Sequence, residues 1–282
     1  MILLTGATGT VGSALLRRLT ADGKPVRALV RDGQRLGDQR VRVQIALGDL
    51  SDPPSFRNAL RGVGTVVHLA ASIRDQPRGS IEELNAVATL RLVRAAERAG
   101  VERFVFFSAM NASHHSRTRF FRAKALAEDA VETSSLSTLI FRPSLIYTPG
   151  DPWLTLLDRL SRLPAMPVSG SGKALYQPVW ADDVADAVMA ALSNGADSAY
   201  ELAGPEVLSY DDIVRVVLRA EHRRRRLLHV PLPIVRASLR FLRFATWEEA
   251  ELMEEPMVTE KGTADIEQLG VRPHSMPAVL GV

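Results

Sequence analysis

Thr5-Gly6-Ala7-Thr8-Gly9-Thr10-Val11-Gly12 follows the apolar run Ile2–Thr5 and opens an amphipathic stretch over Val11–Ala21. Glycine at the first position permits a tight turn. At the second it lets backbone approach a pyrophosphate, and at the third it lets helix pack on strand. Free N–H groups at the start of such a helix bind phosphate. With a strand before it and a helix after it, the segment reads as a dinucleotide-phosphate loop and not a chance turn.

Outward from the loop, short apolar runs alternate with helical patterns. Strands are expected at 26–30, 41–47, 65–69, 103–107 and 137–141, with helices over 54–61, 81–99 and 119–133 between them. Apolar runs without alternation indicate strands buried on both faces. Their alternation with helices indicates βαβ units, hence an α/β fold with a doubly wound parallel sheet of the Rossmann type. After Pro143 the rhythm breaks into Pro149-Gly150-Asp151-Pro152 and an irregular stretch containing Pro164, Pro167, Gly170 and Gly172. A strand near 174–179, a helix over 183–192 and strands near 199–202 and 227–230 are expected beyond it. Residues 1–150 and 173–203 are therefore assigned to the dinucleotide-binding domain. Residues 151–172 and 204–282 are assigned to a smaller region capping the substrate.

Composition narrows the function. The 282 residues are 46% hydrophobic and 24% charged, the balance of a globular protein. The absence of cysteine removes disulfides, thiol catalysis and thiolate metal sites together. With no membrane-length apolar run and no charged leader, a cytoplasmic location is expected. The pI of 9.5 is misleading, because the net charge is only +3. Four lysines leave 31 of the 35 basic residues as arginine, whose high pKa inflates the figure. The run Arg223–Arg226 has no interleaved aromatics and reads as a solvated patch, so no nucleic-acid partner is expected. The six histidines show no ligand spacing, so no metal site is expected either. The expected partner is a small-molecule substrate, and the chain is expected to be a monomer or homodimer.

The GxxGxxG spacing resembles that of the short-chain dehydrogenase/reductase superfamily, in its extended and atypical, NAD-dependent epimerase/dehydratase-like branches. Gly48-Asp49-Leu50, His68-Leu69-Ala70-Ala71, Asn85-Ala86-Val87-Ala88-Thr89, Arg142-Pro143-Ser144-Leu145-Ile146-Tyr147 and Val179-Trp180-Ala181-Asp182-Asp183-Val184-Ala185 extend the resemblance over most of the chain. Phe107-Ser108-Ala109-Met110-Asn111-Ala112, followed by Phe120-Phe121-Arg122-Ala123-Lys124, is most similar to the NDUFA-nine-like and NmrA-like subgroup. The resemblance implies that Asp49 accepts from the adenine amino group, with Leu50 beside the ring. It also implies that Leu69, Ala70 and Ala71 border the inner ribose, and Pro143 and Ser144 the nicotinamide carboxamide. Asp183 is read as a helix cap.

Where an NAD site ends its second strand with an acid, this chain has Val30 followed by Arg31. A guanidinium binds a 2′-phosphate through several donors, so NADP(H) is preferred. Asp32 keeps NAD(H) open. The superfamily's tyrosine stands four residues before a lysine and passes a proton to or from the substrate. Here Lys124 is retained to bind the ribose, but Phe120 occupies the tyrosine's place, and Met110 that of the usual serine, with Ser108 two residues earlier. A relocated acid would account for the change, with His114 and His115 as candidates. Lys124, Ser108 and His114 are thus the candidate catalytic residues. An acceptor such as a quinone, which needs no protein acid, would account for it equally, as would a cofactor that is sensed without turnover. Three functions follow: an NAD(P)H-dependent oxidoreductase, a dinucleotide-sensing regulatory or assembly protein, and a lyase, isomerase, cyclase or epimerase on the same fold.

Overall fold

The computed structural model describes residues 1–239 and 246–282. The chain opens with β1 (Ile2–Thr5), α1 (Thr10–Ala21), β2 (Val26–Val30) and β3 (Gln44–Leu47). α2 (Pro53–Phe56), β4 (Thr65–His68), α3 (Ala88–Arg98), β5 (Arg103–Phe107), α4 (Arg119–Glu132) and β6 (Ser137–Pro143) continue the alternation. Next come β7 (Ile146–Tyr147), α5 (Pro152–Ser161), β8 (Ala165–Ser169), β9 (Leu175–Tyr176), β10 (Val179–Trp180), α6 (Ala181–Asn194) and β11 (Ala199–Leu202). The remainder comprises β12 (Leu208–Ser209), α7 (Tyr210–Ala220), β13 (Arg226–Val230), α8 (Leu232–Leu239), α9 (Trp247–Leu252), α10 (Ala264–Gln268) and α11 (Met276–Leu280).

Seven parallel strands form the central sheet in the order β11-β6-β5-β4-β1-β2-β3. The central strands are apolar on both faces, and helices cover both. On one face Leu15, Leu16 and Leu19 of α1 pack with Val184 and Val188 of α6. On the other, Leu92 and Ala96 of α3 pack with Ala127 and Val131 of α4. The chain winds outward through β2 and β3, then returns to the other side of β1. The crevice between the carboxyl ends of β1 and β4 is therefore the switch point where such sheets bind ligands.

A second core lies in the C-terminal part, around Tyr147, Met166, Val168, Tyr176, Ile213 and Met257. Three two-stranded pairings, β7–β10, β9–β12 and β8–β13, organise it. Side chains stitch it to the sheet: Ser144 Oγ, just past β6, donates to the Met257 carbonyl at 2.7 Å, and the Thr259 hydroxyl donates to the Glu201 carboxylate of β11.

Several local expectations need correction. The strand expected over 41–47 forms only at Gln44–Leu47, and Ile45 and Leu47 are exposed because β3 is an edge. The strand expected over 174–179 is divided into β9 and β10, with Pro178, which has no N–H to give, between them. The helix expected over 54–61 is α2 followed by a 3₁₀ turn at Arg57–Leu60. That expected over 81–99 contains a π turn at Glu83–Val87. Asp183 is not a helix cap. It lies inside α6, buried, and its carboxylate accepts from the His274 amide and faces Nδ1 of the same residue, each at 2.8 Å. It therefore anchors the C-terminal segment.

The glycines of the loop divide by what a side chain would meet. A Cβ on Gly12 would overlap the Gly6 carbonyl, whereas one on Gly9, which is exposed, would lie 3.3 Å from that oxygen. Gly12→Ala is expected to destabilise by about 2–3 kcal/mol, the range for overpacking a close contact. Gly9→Ala should stay within about 1 kcal/mol of wild type, because its neighbour needs to give only slightly. Urea denaturation of both variants checks the difference.

Candidate functional site

The turn from β1 into α1 is held by the Gly9 amide donating to the Gly6 carbonyl at 2.9 Å. Gly6 has φ +72°, and its Cβ position would lie 2.7 Å from the Ala70 nitrogen, so glycine is required twice over. Gly9 precedes α1 without any side chain to cap it, and the first turn holds no acid. The first-turn amides therefore face forward without a protein anion, which suits a phosphate. A cavity of about 300 Å³ opens there. Gly6, Ala7, Thr8 and Gly9 line one end, and Leu69, Ala70 and Ala71 the floor. Thr10, Val11 and Gly12 stand behind it in the first turn of α1.

At the other end lie Arg31, Arg35, Asp49 and Leu50. Asp32 is engaged elsewhere: its carboxylate accepts from the Gln34 amide at 2.9 Å and caps the 3₁₀ turn that carries Arg35. Asp49 is also held. Its Oδ1 accepts from the Ser51 amide and hydroxyl at 3.0 and 2.8 Å, and its Oδ2 from Arg78 at 2.8 Å. Burial pushes this carboxyl up, but the Ser51 backbone, Arg78 and the charge of Arg31 together outweigh it and hold the group below the usual range.

Lys124 is buried outside that cavity, and its Nζ donates to the Phe107 carbonyl at 2.6 Å. The ring centroids of Phe106 and Phe120 lie 4.9 and 5.7 Å from Nζ. Desolvation lowers its pKa to about 7, with the charge of Glu128 opposing the fall. Ser108, next to Phe107, is buried, and its hydroxyl has no hydrogen-bond partner. Phe120 packs on Phe121 and on the Ile81, Ala86 and Ala123 cluster. Lys124, Phe120 and Ser108 therefore form one neighbourhood. His114 is not part of it: its ring faces Asp129 at the surface, 3.1 Å away. His115 lines a second, open cavity of about 740 Å³ with Met110, Asn111, Arg117, Pro256 and Val258. Pro143 ends β6, and the hydroxyl of the adjoining Ser144 is taken by Met257. Among the described residues no cluster could hold a metal ion.

Sequence reasoning missed Arg35 and Arg78. Arg35 follows Arg31 by four residues, in the 3₁₀ turn that Asp32 caps, a closeness in sequence that could have flagged it. Arg78 had no local signal, because its partner is 29 residues away.

A parallel sheet with a glycine-rich loop at its switch point defines a dinucleotide-binding protein. A family model described as "NAD(P)H-binding" matches residues 6–195, and the chain belongs to that family, within the atypical short-chain dehydrogenase/reductase and NAD-dependent epimerase-like group. It is 29% identical over 247 residues to subunit 9 of the NADH dehydrogenase [ubiquinone] 1 alpha subcomplex, mitochondrial, of Arabidopsis thaliana, covering 82% of this chain and 60% of that one. It is 33% identical over 170 residues to ceramide reductase of Caulobacter vibrioides, covering 60% and 53%. The chain thus spans little more than half the length of these two relatives. A nucleoside-diphosphate-sugar epimerase from Staphylococcus aureus superposes with a TM-score of 0.80, covering 100% of this chain and 99% of that one. At 20% identity it shows the fold alone. No helix among the described residues is long and apolar enough to cross a membrane.

The Lys124 environment sets a pH dependence. Unfolded, the amine titrates near 10.5; folded, near 7. Between those values the unfolded chain holds a proton that the folded chain has released, so stability rises with pH through the window. Lys124→Met should flatten that rise and gain up to a few kcal/mol at neutral pH. Denaturant midpoints taken below pH 10 read it cleanly, because Tyr147 and Tyr176, both pushed up by burial, titrate from 10.0 in the unfolded chain.

Proposed function

We propose that this protein is an NADP(H)-dependent reductase that transfers hydride to a conjugated, apolar acceptor such as a quinone, without a tyrosine acid. The observation that carries the reading is the pairing of an uncapped phosphate loop with Phe120 beside Lys124. When bound, the nicotinamide supplies the hydride. The loop amides hold the pyrophosphate, and Lys124, the one fully buried cation among the described residues, stands beside Phe120, suited to a ribose hydroxyl. Phe120 presents an apolar wall that excludes water and cannot donate a proton. An acceptor whose reduced form takes its proton from solvent suits that wall better than a simple ketone does. The names of the relatives support this reading, since ubiquinone and ceramide are both lipid-soluble.

The preference for the 2′-phosphate rests on Arg31 and Arg35 at the end of the cavity and on Asp32 being held as a cap. The Phe120 substitution also favours a second reading, a dinucleotide sensor with no turnover. A lyase, isomerase or epimerase remains on the fold alone, which does not choose chemistry.

Arg31→Ala should weaken NADPH binding roughly 10- to 150-fold and NADH binding little, the range for one charge-assisted contact. Equal loss for both nucleotides, read by quenching of cofactor fluorescence, overturns the phosphate assignment. NADPH oxidation is expected with soluble quinones and not with simple ketones. Phe120→Tyr should leave the quinone rate within about threefold and add weak ketone reduction, since a positioned acid contributes about 10²-fold or more. Tight NADPH binding with no oxidation by any acceptor establishes the sensor instead.

A further inference from the structure

The β8–β13 ribbon has an outer face that nothing in the described structure covers. Met166 and Val168 of β8 and Leu227 of β13 turn into the C-terminal core. The two-residue period of a strand then sends Arg226 and Leu228 outward. Leu228 is 57% exposed, Leu163 just ahead of the ribbon 46%, and Ile234 in α8 58%. Single solvated aliphatic residues are ordinary. These three lie on consecutive or paired segments, among arginines.

The arginines divide into two sets. Arg223 is held by Asp158 at 2.6 Å and by the Ser161 hydroxyl. Arg225 donates to the carbonyls of Ser161 and Leu163 at 3.1 and 2.8 Å. Those contacts fix the start of the ribbon. The exposed side chains of Arg224 and Arg226 have no hydrogen-bond or ion-pair partner among the described residues. From His222 to Leu239 the chain carries five arginines and neither aspartate nor glutamate.

We infer that this face seats the protein on a lipid bilayer carrying anionic headgroups. Unpaired guanidinium groups beside exposed aliphatic side chains match such a surface in both respects. The arginines bind lipid phosphates, and Leu163, Leu228 and Ile234 enter the boundary between headgroups and chains. A nucleic acid would satisfy only the charge, and a neutral protein surface only the apolar part. The ribbon also leads to the second cavity. Gly170, whose amide donates to Val230 at 2.9 Å, abuts the Glu254 carboxylate, and Glu255, Pro256 and Val258 just beyond line that cavity. Delivery of a lipid-dissolved acceptor by this route rests on the proposed reductase reading. The docking itself does not.

The full chain is tested by co-sedimentation with vesicles of phosphatidylcholine alone and of phosphatidylcholine mixed with phosphatidylglycerol. Binding is expected only to the mixed vesicles. Arg224→Gln with Arg226→Gln should weaken it about 30-fold, the effect of two basic side chains at a charged surface. Leu228→Glu with Ile234→Glu should abolish it. All four positions are exposed, so the thermal midpoint and NADPH affinity should stay at wild-type values. Absence of binding to mixed vesicles overturns the proposal. So does binding that the arginine changes weaken and the leucine and isoleucine changes do not, or binding to duplex DNA as tight as to vesicles. If vesicles bind but quinone is not reduced, the reductase reading fails alone.

Discussion

The site depends on one close packing of backbone on backbone. The Gly6 carbonyl occupies the space that a side chain at Gly12 would need, and Gly6 itself lies against the Ala70 amide. Three pieces of chain, the end of β1, the start of α1 and the segment after β4, are thereby locked together without intervening side chains. A buried relay reinforces them: Thr5 Oγ1 meets His68 Nδ1 at 2.6 Å, and His68 Nε2 meets Thr89 Oγ1 at 3.0 Å. Burial, with the charge of Lys124 behind it, pushes His68 down to about 3, so the ring is neutral at any ordinary pH. It serves as a two-ended connector, tying β1 and β4 to α3. The forward-facing amides of α1 and the floor at Leu69–Ala71 are consequences of that lock.

From the floor, the chain continues into a charged strap. Asn85 holds its base by accepting from the Ser72 amide and donating to the carbonyls of Ser72 and Ile81. Arg78, inside the turn closed by the Gln76–Gly79 bridge, reaches Asp49 at the far end of the cavity. Arg119, at the start of α4, binds Asp75 of the strap, Glu82 beside it and Glu248 of α9. Single exposed ion pairs contribute little, but a shared guanidinium couples its carboxylates geometrically. One residue before Phe120, the network joins the cofactor side of the crevice to the C-terminal part.

What the sequence makes legible follows from range. The loop at Gly6–Gly12, the central strands and Arg31 are read from neighbours within one turn or one strand. The Asp183–His274 anchor spans 91 residues and the Ser144–Met257 contact 113. No local pattern marks such partners, so Asp183 reads as a cap and Ser144 as a neighbour of the nicotinamide carboxamide. The same limit hides Arg78, and with it the fact that Asp49 already has a cation. β3 misled for a different reason: its apolar residues carry the pattern of a buried strand, but the sheet ends there.

Lys124 and Ser108 show why the damaged catalytic motif is still informative. A buried ammonium is tolerated where it is paired, yet Glu128, the nearest opposite charge acting on Lys124, is engaged by Arg142 at 2.6 Å. One donated bond, to Phe107, uses one of three donors on Nζ. Ser108 adds an orphaned hydroxyl in the adjoining residue. For packing alone, methionine at 124 and alanine at 108 would remove both penalties at little change in volume. Lys124 Nζ, with donors to spare beside the Phe120 ring, and the unpartnered Ser108 hydroxyl leave polar capacity unused here, as Tyr147, Trp153, Ser169 and Trp180 do elsewhere among the described residues. Spare donor capacity on Nζ and the Phe120 ring 5.7 Å from it therefore set a polar edge beside an apolar plane. The proposed ribose and nicotinamide contacts draw on that juxtaposition.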